Sequence, residues 1–514
     1  MFILIYSLLD TPATCFGDQV LGHWKVEISE FKTPQNDRVD CDANFTTKKV
    51  KYFELRAPNV AIDEDGFYGT WTMSYIQAIQ VRLGGLDYLW YFNYTETPLP
   101  EIKQIRVNTY CTQHLSTKAW VHEEGVAVSK HACIRATNVK PLLDNTTNET
   151  LKPAPGPVND YFEVDGKKYK LQPRKLIKKV EYGRKKAPKE QPLTSVYSGD
   201  KLPKNFDWRN VDGKSYVPSP FDQKECGSCY ACATSYMMMS RYMVQEKTTE
   251  YPMFSVQHLV DCNEYSQGCE GGFGEHVGRF VEDHGILTEK DYGVYEGVEN
   301  ECHAKDLKNA DRYYFTATQT LGGYYGAITD SVEMQWEVFR YGPMVVNIFV
   351  DDFYFDKFDP YGFDNSVNLT DDNENRHYFY DQNNHLVIIV GWVNEEITVN
   401  GVTKNETFWI IQNSWGKTWG PQKDGTMKIA MGYNSYAIES EPVTTYYRSS
   451  GAFRPKAPMN TYQITTIVMK YNLATFPTSA RQHATNVWKK QPKLSHQESS
   501  EQIIKSCLKW KYII

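Results

Sequence analysis

The sequence predicts an α+β protein: an antiparallel β-barrel or sandwich first, then a domain in which a buried helix precedes its strands. Three observations predict this. Residues 10–136 alternate apolar and polar in short runs between polar turns, the period-2 mark of half-buried strands. Ala231–Met243 runs without Gly or Pro and is apolar on every side, as a buried helix is. Strand-like runs rich in Val and Ile come only after that helix, the α+β order. At 514 residues the chain is too long for one core, so two or three domains are expected. The net charge of −7 gives no reason to expect nucleic acid as a partner.

In chain order, Met1–Leu9 is a short apolar run that reads as part of a secretory signal, although it has no basic start and no small-residue cleavage site. At nine residues it cannot span a bilayer, and no other membrane span is expected. The barrel runs are Trp24–Ile28, Val50–Leu55, Tyr68–Tyr75, Tyr88–Phe92 and Ala119–Val121. Residues 137–201 change character: Pro153-Ala-Pro-Gly-Pro157 is followed by a basic stretch, Lys167 to Gln191, with eleven Lys/Arg against two Glu. That composition suits a solvated linker or a processing segment that proteases cut, and the second reading is preferred. In 202–445 the helix is followed by glycine turns at Gly268–Gly272 and Gly322–Gly323, then Val345–Val350, His385–Gly391, Phe408–Gln412 and Thr426–Ala430. Asp371–Arg376 reads as a loop. Residues 446–514 form a basic extension with a lone Cys507 and no assigned role.

Eleven cysteines and six Asn-x-Ser/Thr sequons (Asn44, Asn93, Asn145, Asn148, Asn368 and Asn405) point to an oxidising, secretory route. An odd cysteine count leaves at least one thiol unpaired. Cys229 is the candidate: Gln223-Lys-Glu-Cys-Gly-Ser-Cys-Tyr230 runs straight into the helix and puts Cys229 in its first turn. Unpaired backbone N–H groups and the helix dipole favour a thiolate there. A cysteine nucleophile also needs a base, a group that orients the base, and oxyanion donors. His385 opens the most apolar strand, and Asn413 follows Phe408–Gln412. Singly, a His before a strand or an Asn after one is more often structural.

Together, Gln223, Cys226–Tyr230, Gly268–Gly272, Asn384–His385 and Gln412–Gly416 resemble, in order, the motifs of papain-like cysteine peptidases over 202–445. The resemblance implies a two-lobed catalytic domain, one lobe helical and one a β-barrel. It also implies roles. Cys229 is the nucleophile, paired as thiolate with imidazolium His385; Asn413 orients the imidazole and Trp415 shields that contact. Gln223 and the Cys229 N–H form the oxyanion hole. Gly271 and Gly272 let a substrate backbone approach closely. Implied disulfides are Cys226–Cys269 and Cys262–Cys302, leaving Cys232 a free buried thiol.

The N-terminal part narrows the resemblance. Asp10-Thr-Pro-Ala-Thr-Cys15, Leu21-Gly-His-Trp24, Thr109-Tyr-Cys-Thr112, Gly268–Phe273 and Tyr436–Ser440 are similar to the cathepsin C (dipeptidyl peptidase I) family over roughly 10–445. That family implies an exclusion β-barrel at 10–136 that blocks the cleft beyond the second subsite. Its N-terminal Asp, here Asp10, grips the substrate's α-amino group, which requires cleavage after Leu9. It further implies Cys15–Cys111 and Cys41–Cys133, a zymogen cut by an activating protease within 137–201 and within 363–380, and assembly as a homo-tetramer in the lysosome or outside the cell. Substrates would be peptides and proteins with free N-termini. No organic cofactor or metal is expected. The family's chloride, held by two tyrosines at the floor of the second subsite beside Phe273, meets Glu275 and Thr320 here; Glu275 is expected to supply the negative charge instead. Rival readings are a papain-like endopeptidase with an unrelated N-terminal β-domain, a non-catalytic binding protein on the same scaffold, and a ligand-binding barrel with vestigial peptidase activity.

Overall fold

The computed structural model describes residues 12–447 except 34–40, 42–43, 58, 124–129, 144–145, 154–160, 165, 171–201, 308, 323–328, 351–354, 356, 361–382 and 400. The expected roles of Asp10, Asn145, Asn368 and Cys507, the cut sites at 171–201 and 363–380, and nearly all of the basic extension lie outside the described residues.

The alternating runs fold into antiparallel strands: β1 (Gly22–Ile28), β2 (Lys49–Arg56), β3 (Val60–Asp63), β4 (Tyr68–Ser74), β5 (Ala78–Leu83), β6 (Leu86–Leu99), β7 (Gln104–Glu123) and β8 (His131–Pro141). The ring runs β6-β5-β4-β3-β2-β1-β8-β7 and closes because β7 also pairs with β6, so these eight strands form a barrel. Closure removes the sheet edges that an open sandwich would expose. Gly84 and Gly85 (φ +63° and +76°) make the β5–β6 hairpin, a two-residue turn needing positive φ at both positions. Alternate side chains fill the interior, where Trp24 and Trp90 meet with ring centroids 4.9 Å apart. The barrel does not end at 136. β8 runs on to Pro141, and β9 (Thr147–Pro153) pairs along β7.

Segment 137–201 is more than a solvated linker. Within it β10 (Tyr161–Val164) and β11 (Lys167–Lys170) form a hairpin, and Tyr169 is buried against the second domain.

In that domain the chain forms β12 (Phe206–Asp207), α1 (Cys229–Glu246), α2 (Val256–Cys262), α3 (Gly274–His284), α4 (Glu289–Tyr292), β13 (Phe315–Thr320), α5 (Ser331–Tyr341), β14 (Met344–Ile348), β15 (His385–Val399), β16 (Val402–Gln412), β17 (Thr426–Ala430) and β18 (Pro442–Tyr447). The sheet order is β13-β18-β14-β15-β16-β17, with β12 on β15. Helices gather at one end of the sequence and strands at the other, giving a helical part and a sheet part. α1 is buried on nearly all sides, which explains its lack of a polar face. Its one charged core residue, Arg241, is satisfied by Glu337 (2.9 Å), Thr445 O (3.0 Å) and Pro343 O (2.8 Å), tying α1 to α5 and β18.

The two domains share a buried seam. In β6, Tyr88, Trp90 and Phe92 point into the barrel, while Leu89 and Tyr91 join the peptidase-side core. The Tyr91 hydroxyl donates to Tyr265 O (2.8 Å), and Trp120 meets Tyr265 edge-on. No described helix is long and apolar enough to cross a membrane.

Candidate active site

Cys229 is the first residue of α1, as the Gly-Ser turn before it predicts, and it is buried and outside the disulfides. Gly227 in that turn admits no side chain: an added Cβ would lie 2.5 Å from Cys269 O, in the loop tied by the Cys226–Cys269 disulfide. Ala233 and Tyr236, a turn further along α1, share a small cavity with Leu386–Ile388 and Gln412–Ser414. The start of α1 therefore lies against the start of β15 and the end of β16, the elements carrying His385 and Asn413.

His385 is fully buried, and its Nε2–H donates to Asn413 Oδ1 at 2.7 Å. This hydrogen bond sets the tautomer. Nδ1 carries the lone pair and has no hydrogen-bond partner among the described residues. Burial pushes the imidazole pKa down to about 4, only partly opposed by Asn413. Asn413 Oδ1 also accepts from Ser414 N (2.7 Å), so the orienting amide is itself fixed. The Trp415 indole lies over the His385 ring, centroids 4.8 Å apart and tilted 33°.

Gln223 is fully buried. Its Oε1 accepts from the Ser414 hydroxyl at 2.6 Å, which aims Nε2 at Cys226 O (3.0 Å) and Lys170 O (3.2 Å). The Lys170 carbonyl comes from the β10–β11 hairpin. Tyr169 of that hairpin stacks on Trp415 (5.3 Å, 23°) and donates to Trp415 O (2.8 Å). Lys167 pairs with Asp222 (3.2 Å), and Lys170 Nζ with Glu270. The basic segment thus covers both the shielding tryptophan and the glutamine amide. Sequence reasoning missed Ser414, Tyr169 and Lys170. Ser414 lies inside the Gln412–Gly416 motif, which by itself marks no role for it, and nothing local marks a hairpin residue as a partner of Trp415.

Gly271 has φ +122°, and a Cβ on Gly272 would meet Ser266 Oγ at 2.6 Å and Tyr230 Cδ2 at 2.7 Å. Phe273 follows and packs on Tyr75 of the barrel (5.9 Å). Residues 12–15 are buried beside that same turn. Cys15 N donates to Ile76 O (2.8 Å), Thr14 N to Thr109 Oγ1 (3.0 Å), and Asn148 Nδ2 to Thr14 O (2.7 Å). Glu275 is buried beside a small seam pocket lined also by Arg82, Gln80, Thr72 and Thr320. It pairs with Arg82 of the barrel (3.6 Å) and accepts from Thr320 (3.4 Å). Burial raises its pKa against the pull of Arg82.

The disulfides are Cys15–Cys111, Cys41–Cys133, Cys226–Cys269 and Cys262–Cys302, the four pairs the resemblance implies, and Cys232 is a free buried thiol. Of the sequons, Asn44 and Asn405 are exposed and Asn93 is half-buried. Asn148 differs from these three. Its amide donates to Thr14 O and Gln19 Oε1 and its Oδ1 accepts from Gln19 Nε2, all at 2.7 Å, so a glycan on that nitrogen would break the tie that holds the N-terminal segment.

A buried thiol at a helix start, an oriented imidazole and a fixed amide donor define a cysteine peptidase. The chain carries a papain-family peptidase domain behind an exclusion domain: "Papain family cysteine protease" matches residues 202–446, and "Cathepsin C exclusion domain" matches 10–138. It is similar to Cathepsin C of Schistosoma mansoni, 28% identical over 460 residues that span 85% of this chain and 95% of that one. Dipeptidyl aminopeptidase 1 of Plasmodium falciparum (isolate 3D7) is 26% identical over 316 residues, 47% of this chain and 44% of that one. Among solved structures, a digestive procathepsin L2 proteinase from Tenebrio molitor is 26% identical, covers 50% of this chain and 73% of that one, and has a TM-score of 0.38.

Proposed function

We propose that this protein is a dipeptidyl aminopeptidase, made as a zymogen, that removes dipeptides from free N-termini. The carrying observation is the docked barrel. Residues 12–15 are pinned at the Tyr75–Ile76 turn, and Tyr75 packs on Phe273, the residue after the Gly271–Gly272 approach. Asp10 precedes that pinned segment by two residues in the sequence and is proposed as the anchor for an α-ammonium group. The exclusion-domain match over 10–138 and the names of the relatives support the same reading.

Cys229 gives its proton to His385 Nδ1, and the thiolate attacks the peptide carbonyl. Gln223 Nε2 and the Cys229 N–H hold the oxyanion. The imidazolium returns the proton to the leaving amine, a thioester remains, and His385 then activates water to hydrolyse it. Asn413 keeps Nε2–H engaged throughout, so Nδ1 alone exchanges the proton. In the uncut chain the Lys170 carbonyl takes up Gln223 Nε2, and Tyr169 caps Trp415; cutting the segment frees both. An activating protease in a lysosomal or secreted setting, and assembly as a homo-tetramer, complete the proposal.

Turnover of a dipeptide amide against its N-acetylated form tests the reading. Acetylation is expected to abolish turnover, and equal rates would make the protein an endopeptidase. The Glu275–Arg82 pair supports turnover that needs no halide. A rate that rises with chloride at constant ionic strength overturns that part.

A further inference from the structure

The seam between barrel and peptidase domain buries a cluster of charges outside the catalytic set. Period 2 puts Asp87, Leu89 and Tyr91 on the outer face of β6, and Trp120 and His122 on that of β7. His131 begins β8. From the peptidase side, His276, Arg279 and Asp283 line one face of α3, with Tyr265 beside them. Asp283 Oδ2 accepts from His122 Nδ1 (2.9 Å), His131 Nε2 (3.0 Å) and the Tyr265 hydroxyl (3.0 Å). The other ring nitrogen of His122, Nε2, faces Asp87 Oδ2 at 3.6 Å. Asp87 also meets Arg279 (2.8 Å), Arg82 (3.2 Å) and Gln80 (2.7 Å).

An imidazole facing a carboxylate at each nitrogen is held as a cation. With His122 charged, the cations Arg82, Arg279 and His122 face the carboxylates of Asp87 and Asp283. The arrangement does not suit a metal ion. The donor atoms of His122, His131 and Asp283 come within 4.8 Å of one another, but each is already hydrogen-bonded, and the Arg279 guanidinium stands 3.5 Å from His122 Nδ1.

We propose that His122 is a positioning residue: bridging Asp87 of the barrel and Asp283 of the peptidase domain as a cation, it clamps the barrel on the cleft edge and so confines cleavage to the amino end. The second half of this statement rests on the dipeptidyl reading; the clamp itself does not. Burial and the neighbouring Arg279 charge would lower the His122 pKa, but Asp283, hydrogen-bonded to it, and Asp87, 3.6 Å away, outweigh them and raise it to about 9. The clamp is therefore at full strength below the ordinary histidine value and is lost as pH rises towards about 9. The other groups facing it do not replace it. Burial lowers the His131 pKa against the pull of Asp283, to which its Nε2–H donates, and it lowers His276 to about 3. Burial raises Glu282 and Tyr265, while Glu264 and His284 pair with each other at 3.4 Å.

Hydrogen exchange on the full chain reads the clamp directly. In H122Q at pH 6, protection of 89–92 and 277–283 is expected to fall about tenfold or more, because a buried carboxylate loses its counter-charge, while β2–β3 and β15–β16 keep theirs. H122Q/D283N, which removes one charge of each sign, is expected to regain most of the protection. In the wild-type chain the same segments lose protection, after correction for intrinsic exchange, between pH 6.5 and 9. The preference for a free-amino dipeptide amide over its acetylated form falls in parallel. Wild-type protection in H122Q, a loss spread over the whole fold, no rescue by the double variant, or no decline towards pH 9 each overturns the clamp. If H122Q does not fold, the wild-type pH series decides. A wild-type enzyme with no free-amino preference sinks the dipeptidyl reading and leaves the exchange result to judge the clamp. Protection of the same segments by added zinc would mean a metal site and also overturn it.

Discussion

At the residue scale the site depends on groups that hold other groups. Asn413 fixes the His385 tautomer at 2.7 Å, and Ser414 fixes Gln223 at 2.6 Å. Asn413→Ala should lower kcat by about 10² with little change in KM, since it misaligns a proton carrier rather than a binding group. Gln223→Ala should lower kcat by about 10²–10³, the cost of one oxyanion donor. Initial rates on a dipeptide amide check both, and a loss confined to KM would assign either residue to substrate binding. Cys229, His385, Asn413, Gln223 and Trp415 were legible because each stands in a short motif whose chemistry is local. Ser414 and Tyr169 were not, because their importance is the identity of their partners.

At the element scale, strands and buried helix followed from side-chain period and from missing Gly and Pro, while their lengths did not. β7 runs from Gln104 to Glu123, although only Ala119–Val121 read as a strand; Gln104–Tyr110 is paired on both sides by β6 and β9. Ile105, Val107 and Thr109 alternate there as buried residues, a short period-2 mark diluted by the polar residues around it. The β10–β11 hairpin lies in a segment whose composition says only that it is basic. Tyr169→Ala in the uncut chain should speed labelling of Cys229 by a peptide epoxide, because the cap over Trp415 is lost. An unchanged labelling rate would show that the hairpin does not guard the site. Cys15–Cys111 ties the N-terminal segment to β7. Replacing Cys111 with Ser should cost about 2–5 kcal/mol in thermal or denaturant unfolding.

At the scale of the whole molecule, the docked seam turns two domains into one site. Trp120 points out of the barrel onto Tyr265, so Trp120→Ala should spare the ring of strands and weaken docking by about 3–5 kcal/mol. Release of the barrel at lower temperature, seen as a separate calorimetric transition, checks this; a single unshifted transition would contradict it. The sequence by itself determined the candidate nucleophile, base and orienter and an N-terminal antiparallel β domain, and, through family resemblance, the four disulfide pairs and the reading of that domain as a barrel. These rest on local motifs and on the alternation of side chains along a strand. Only the tertiary structure decided which face of β6 meets the peptidase domain, that Glu275 answers to Arg82, and that His122 sits between Asp87 and Asp283. The reason is physical. A surface charge and a buried, paired charge are the same letter, and burial is created only when two surfaces far apart in the chain close over them.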